Sequence, residues 1–424
     1  MTRRLLLLAI AWVLAWTLAG CAAALHPQAM APSPRAVPPR LWVVYEAGDS
    51  QIAVVDVAHG EVIKRFPSRS ALLDGAQISP DGRFLYVGTQ SGWVTQYDLH
   101  RLSMATEVRV GFSLRHLALS SDGRFLAAAS DAPRSLVLLS ADLQPLQQLE
   151  VGSLDGRRSS RIAALHDAAP RKSFVAALED VPELWEIAYD KGAAPIFDGY
   201  VHDYRMGEAI AKPGFLNPRR TPLEEPLAEF AFDTGHHNVL GTLLRPGAAE
   251  NHETTVKVVN LDVRRQIAAL RIPGEPRMGS GTRLEWNGHP VLASPNRARG
   301  AIDLIDLRSW KLVTSMATPG PGTYVRTHAH SPYLWTDATP SEGAKDTLTL
   351  LDKRTLKPAT TLRDAGHRLS EAQFSQDGRD AVVLADGKDG ALIVLDAQTL
   401  REIKRIPVKQ AQWALAVPAG RASP

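Results

Sequence analysis

The sequence of 424 residues has a single cysteine, Cys21. That count removes intramolecular disulfides and, for practical purposes, thiolate zinc sites and thiol catalysis. No CxxCH occurs, so a covalently attached c-type haem is not expected. GxSxG, HExxH, P-loop and Rossmann fingerprints are also missing from any suitable context. Nor is there an excess of one charge. Lys and Arg number 48 against 45 Asp and Glu, a net of +3. No basic run with interleaved aromatics stands out, which argues against nucleic acid as a partner. The one long apolar run, Leu5 to Leu18, is short for a membrane span of about 20 residues.

That run has its own meaning. Thr2-Arg3-Arg4 forms a basic n-region, and the apolar stretch behind it is about one export h-region long. It ends in Leu18-Ala19-Gly20-Cys21, small residues directly before a cysteine. This resembles the lipobox of bacterial lipoproteins, in which cleavage precedes the cysteine and its thiol carries diacylglycerol. The alternatives are a plain signal peptide or a short anchor. Residues 1–20 are therefore expected to be a lipoprotein signal peptide and Cys21 the lipidation site. The protein would then sit on a membrane of the bacterial envelope and face the periplasm. Ala22 rather than Asp is compatible with outer-membrane sorting. The Ala- and Pro-rich residues 21–40 read as a flexible tether.

The remaining chain is built from a recurring unit. Ser79-Pro80-Asp81-Gly82-Arg83 turns into the strand Phe84–Val87, and a second turn leads to Trp93–Tyr97 and Asp98. The turn returns at 120–124 and 375–379. A short apolar strand closing on Asp returns more often, at 52–56, 93–98, 136–142, 184–190, 256–262, 302–306, 348–352 and 392–396. These roughly eight copies, most of them roughly 42–50 residues apart, match the period of a four-stranded propeller blade. The expectation is an all-β, eight-bladed β-propeller, a single domain over 41–418. Its last strand, near 412–417, should join the first blade. The longer fourth spacing implies a loop insertion at about 191–228, with three aromatics, His202 and Arg205 in its first part. Such a loop is either a lid or binding loop or a surface excursion packed by its own aromatics.

Among the 13 histidines, His236-His237 could pair on a metal, but adjacent side chains diverge on a strand. Arg326, His328 and His330 alternate, so on a strand they share one face. One cation and two imidazoles there suit an anionic ligand or a metal, or else are ordinary polar residues of a blade edge.

The ordered segments 79–99, 107–123, 160–168, 276–296, 319–339 and 372–400 resemble the haem d1-binding propeller of cytochrome cd1 nitrite reductases and related haem d1 proteins. The related group includes the NirF and NirN types, which act late in haem d1 assembly. The resemblance runs from about residue 41 to 405. It implies non-covalent binding of haem d1 or its precursor, with Arg115 facing the porphyrin carboxylates. Arg326 takes a position held by lysine in the reductases, and Arg161, Arg277 and Arg368 match basic or near-basic positions. Guanidinium groups suit that ligand because they pair with carboxylates bidentately. His328 matches a distal histidine and is the candidate for proton abstraction. Trp335 reads as core.

Two departures stand out. Asp74 falls where the reductases place the proximal iron-ligating histidine, and Ala228 where they place the second distal one. His59, His116 or His202 would have to substitute. Three readings follow. The first is a lipid-anchored protein of haem d1 maturation or delivery, partnered by a nitrite reductase or a c-type cytochrome. If catalytic, it would be an oxidoreductase acting on a haem d1 precursor. The second is a cofactor-free interaction scaffold. The third is a nitrite reductase-like protein fed by an external cytochrome.

Overall fold

The computed structural model describes residues 40–197, 211–243, 252–338, 341, 343–387 and 389–419. The expected signal peptide, Cys21, all but one residue of the expected tether, and His202 lie outside the described residues.

Eight four-stranded antiparallel sheets form the blades of the propeller. In blades 2 to 8 the inner strands are Gln77–Ile78, Ser113–Leu119, Ile162–Ala168, Leu227–Phe232, Thr282–Trp286, Val325–Arg326 and Arg368–Phe374. Blade 1 takes its inner strand, Ala411–Ala416, from the end of the chain, paired to Leu41–Glu46. The ring closes as the sequence leads one to expect.

The turns explain why the unit repeats. Ser120 Oγ donates to Asp122 (2.7 Å) and accepts from the Phe125 N–H (2.9 Å). Ser375, Asp377 and Asp380 repeat the arrangement. The glycines after these acids, Gly82, Gly123 and Gly378, have φ near +70°, where a side chain is strained. In five blades the third strand ends on an Asp that accepts N–H groups two and three residues ahead, and in blade 5 Asn260 takes that place. Asp352 takes those of Arg354 and Thr355, and Asp396 those of Gln398 and Thr399. These bonds hold both carboxyls below the usual range.

Eight apolar clusters lie one between each adjacent pair of blades. Successive residues of a strand serve different neighbours. Trp42 and Val44 pack toward blade 8, Val43 and Tyr45 toward blade 2. The middle strands are buried on both faces, so they read as continuous apolar runs rather than an alternation. Each fully buried aliphatic side chain contributes roughly 1.5–3 kcal/mol. Trp335 is fully buried between blades 7 and 8, as expected.

The insertion is shorter than 191–228. Pro218–Pro222 is the outer strand of blade 4, paired with Glu183–Ala188. The extra residues therefore lie between the third and fourth strands. Their stems leave from the end of the blade opposite the start of its inner strand.

Candidate functional site

All inner strands run the same way along the axis, so the residues that open them gather around one mouth of the channel. Five blades place an arginine there. Arg115 Nη1 meets Glu179 Oε2 at 2.6 Å and Asp131 at 3.5 Å. Arg161 Nη2 meets Glu179 Oε1 at 2.9 Å and Asp180 at 3.0 Å, so Glu179 bridges two guanidinium groups. Arg277 Nε pairs with Glu229 (3.1 Å) and Arg368 with Asp386 (2.9 Å). Arg326 Nη1 donates to the carbonyls of Ser280 and Val325, both at 3.1 Å.

These contacts change the expected electrostatics. The mouth is charge-compensated rather than simply cationic, because carboxylates from neighbouring strands and turns stand beside four of the five arginines. Two of these acids are perturbed. Glu229 is largely buried, its Oε1 has no partner among the described residues, and burial pushes its carboxyl up. Glu371 sits at φ +51° in a bulge of the blade 8 inner strand, and burial pushes it up as well. Bulges and left-handed non-glycine residues concentrate at functional sites. Asp74 is exposed at the mouth and accepts from Gln412 Nε2 (3.0 Å). The surrounding protein raises its carboxyl, an effect moderated by the water it touches.

Among the candidate replacement histidines, His116 lies beside Arg115 on the inner strand of blade 3. Burial first, then Arg115, lower its imidazole to about 4, so it is neutral at pH 7. Its Nε2 is buried without a partner among the described residues. His59 bonds Asp56 in a turn at the opposite end of blade 1. Ala228 borders a cavity of about 250 Å³ that Thr242, Glu275 and Arg277 also line.

His328 is not brought to the mouth. The strand expected over 326–330 stops at Arg326, and the chain turns toward blade 8. His330 Nδ1 donates to the Asp377 carbonyl (2.7 Å), and the His328 ring lies 6.0 Å from that of Phe374. Phe374 ends the strand that Arg368 begins, about 20 Å away at roughly 3.3 Å per residue. Arg326 and His328 therefore do not share a face. His236 and His237 also diverge, to Arg283 and Asp262 respectively.

The sequence reading missed Glu179, Glu229 and Glu371. The one available signal was their register, since Glu229 and Glu371 lie near the start of an inner strand, where the arginines also fall.

The cytochrome D1 heme domain model matches residues 37–198 and 216–421. The dihydro-heme d1 dehydrogenase of Pseudomonas aeruginosa is 39% identical over 391 residues, covering 91% of this chain and 73% of that protein. Protein NirF of the same organism is 23% identical over 376 residues, covering 87% and 89%. The solved structure of dihydro-heme d1 dehydrogenase NirN in complex with DHE superposes with a TM-score of 0.79 at 39% identity, over 93% of this chain and 79% of that one. Apo AztD from Citrobacter koseri, at 13% identity and a TM-score of 0.54 over 89% and 98%, shares the fold alone. By that match and that identity, the chain belongs to the cytochrome d1 haem domain family.

Proposed function

We propose that this protein binds haem d1 or its dihydro precursor non-covalently at the arginine-ringed mouth and acts in haem d1 maturation or delivery. One observation carries the reading. Five blades present an arginine at one mouth, and each is anchored through part of its donor set. Arg115 and Arg326 are both held through Nη1, which leaves the Nε–Nη2 edge, the one that grips a carboxylate bidentately, without a partner among the described residues. Glu229 and Glu371, displaced toward their neutral forms, repel a carboxylate ligand less than two ionised acids would. The residues present therefore fit a planar polycarboxylate. Haem d1, when bound, would supply the iron and the conjugated macrocycle, while the chain would bind and orient its carboxylates. His116 adjoins Arg115, and its buried Nε2 would have to be uncovered before it could reach the group. His328 is left out of this constellation by its position.

The partners that this reading calls for are a nitrite reductase as recipient and a c-type cytochrome as electron acceptor. Lipidation of Cys21 would hold the propeller at an envelope membrane. Cys21→Ser should then move the protein from the membrane to the soluble fraction, and unchanged fractionation would remove the anchor from the proposal.

The deciding experiment is an absorbance titration with haem d1. Unmodified protein should bind saturably with a shifted spectrum. The double change Arg115→Ala, Arg326→Ala should weaken binding by at least about tenfold, two charge-assisted contacts being worth about 1.5–3 kcal/mol each before losses. No spectral change at micromolar protein would favour the cofactor-free scaffold.

A further inference from the structure

Deeper in the channel lies a guanidinium with different surroundings. Arg283, on the inner strand of blade 6, is exposed to a cavity of about 350 Å³ between blades 4, 5 and 6. His166, Asp167, Phe230 and Thr282 are among the other lining residues.

The anchoring of Arg283 uses neutral groups. Of the five donors of a guanidinium, those on Nη1 go to the Asp233 carbonyl (2.6 Å) and to His236 Nε2 (2.9 Å). Arginine can only donate, so His236 Nε2 accepts and that imidazole is neutral. Its ring is fixed by stacking on Phe232, centroids 4.4 Å apart and planes 6° from parallel. The nearby Asp233 carboxylate is occupied elsewhere, by the Asn238 backbone N–H (3.1 Å) and Nδ2 (2.6 Å). Four of the arginines at the mouth have a carboxylate partner within 4 Å, whereas Arg283 has none among the described residues. Its Nε–Nη2 edge has no protein partner there either. The charge is oriented without being neutralised, which is what a site for a small anion requires.

We propose that this cavity binds a small planar anion, a carboxylate or an oxyanion, on the Nε–Nη2 edge of Arg283. The exposed ring of His166, edge-on to Phe230 at 5.0 Å, adds a donor on another wall. Asp167 lines the same cavity and accepts from Tyr189 Oη (2.8 Å). Its charge opposes the anion, so its removal should strengthen binding.

The test is calorimetric titration of the purified protein with sodium formate, acetate and nitrate, the first two standing for carboxylates and the third for oxyanions. Saturable binding of at least one class is expected. Arg283→Gln should weaken it by at least about tenfold, and Asp167→Asn should tighten it by about threefold. Equal affinity in Arg283→Gln, weaker binding in Asp167→Asn, or no saturable binding would overturn the proposal. Because Arg283→Gln also removes a contact to blade 5, crystals of the unmodified protein soaked in bromide provide a second readout. Anomalous density against the Arg283 guanidinium supports the site, and density only at the arginines of the mouth overturns it.

Discussion

Glu179 offers a test whose sign separates a ligand-binding role of the arginines from a structural one. Its two oxygens hold Arg115 at 2.6 Å and Arg161 at 2.9 Å, and its side chain is only 11% exposed, so screening by water is partial. Glu179→Gln keeps the shape and removes one negative charge. A ligand carboxylate on the free edge of Arg115 would stand about 6–7 Å from Glu179. At an effective dielectric of 20–40, their repulsion is about 1–2.5 kcal/mol. Loosening the arginines costs about 0.5–1 kcal/mol in orientation. The net is roughly 0–2 kcal/mol toward the ligand, centred near 1 kcal/mol, or about fivefold tighter binding and at most about 30-fold. The same absorbance titration measures it, repeated at raised salt, where the difference should shrink. Arg115→Ala must move the affinity the other way. If both substitutions weaken binding alike, the arginines serve the fold and the ligand site lies elsewhere.

Three further outcomes are expected. Glu186 is largely buried between Arg171 (2.7 Å) and Arg219, with Ser173 Oγ at 3.0 Å. Glu186→Ala should cost about 3–5 kcal/mol in urea unfolding, and a loss below about 1 kcal/mol would refute the buried-hub description. His116 has its folded value lowered to about 4 from an ordinary 6.5, so the unfolded chain binds more protons in between. Its contribution is therefore fully present above about pH 6.5 and lost as pH falls toward 4, by about 2–3 kcal/mol. Stability measured across that window should lose this slope in His116→Gln, and an unchanged profile would count against the burial. Gly378 has φ +67°, and a Cβ there would overlap His328. Gly378→Ala should destabilise by at least about 1–2 kcal/mol, and a neutral result in thermal melting would argue against that contact.

The parts of the fold that could be read from the sequence are those made by local chemistry. The Ser-x-Asp-Gly turns and the strand-ending Asp residues satisfy their hydrogen bonds within five residues, so their spelling recurs with the blades. The closing strand could be read for the same reason, as a blade-like segment without a blade of its own. Contacts between blades could not. Arg115 and Glu179 are 64 residues apart, and nothing near either one announces the other. The arginines were found by family resemblance, while the acids that compensate them reach over from strands and turns that carry no motif of their own. His328 misled because alternation was assumed over a segment that leaves the sheet after Arg326. The bulge at Glu371 and the neutral acceptor at His236 depend on backbone geometry that composition does not encode.

Because blade 1 borrows its inner strand from Ala411–Ala416, the ring cannot shut until almost the whole chain has been made. At about 5–20 residues per second, Leu41–Glu46 waits roughly 20–70 s for its neighbour, with an unpaired apolar edge open to other chains. Fragments ending before residue 411 should therefore be the species that chaperones hold and proteases clear. A nonsense mutation just before Ala411 would be nearly as damaging as one far upstream.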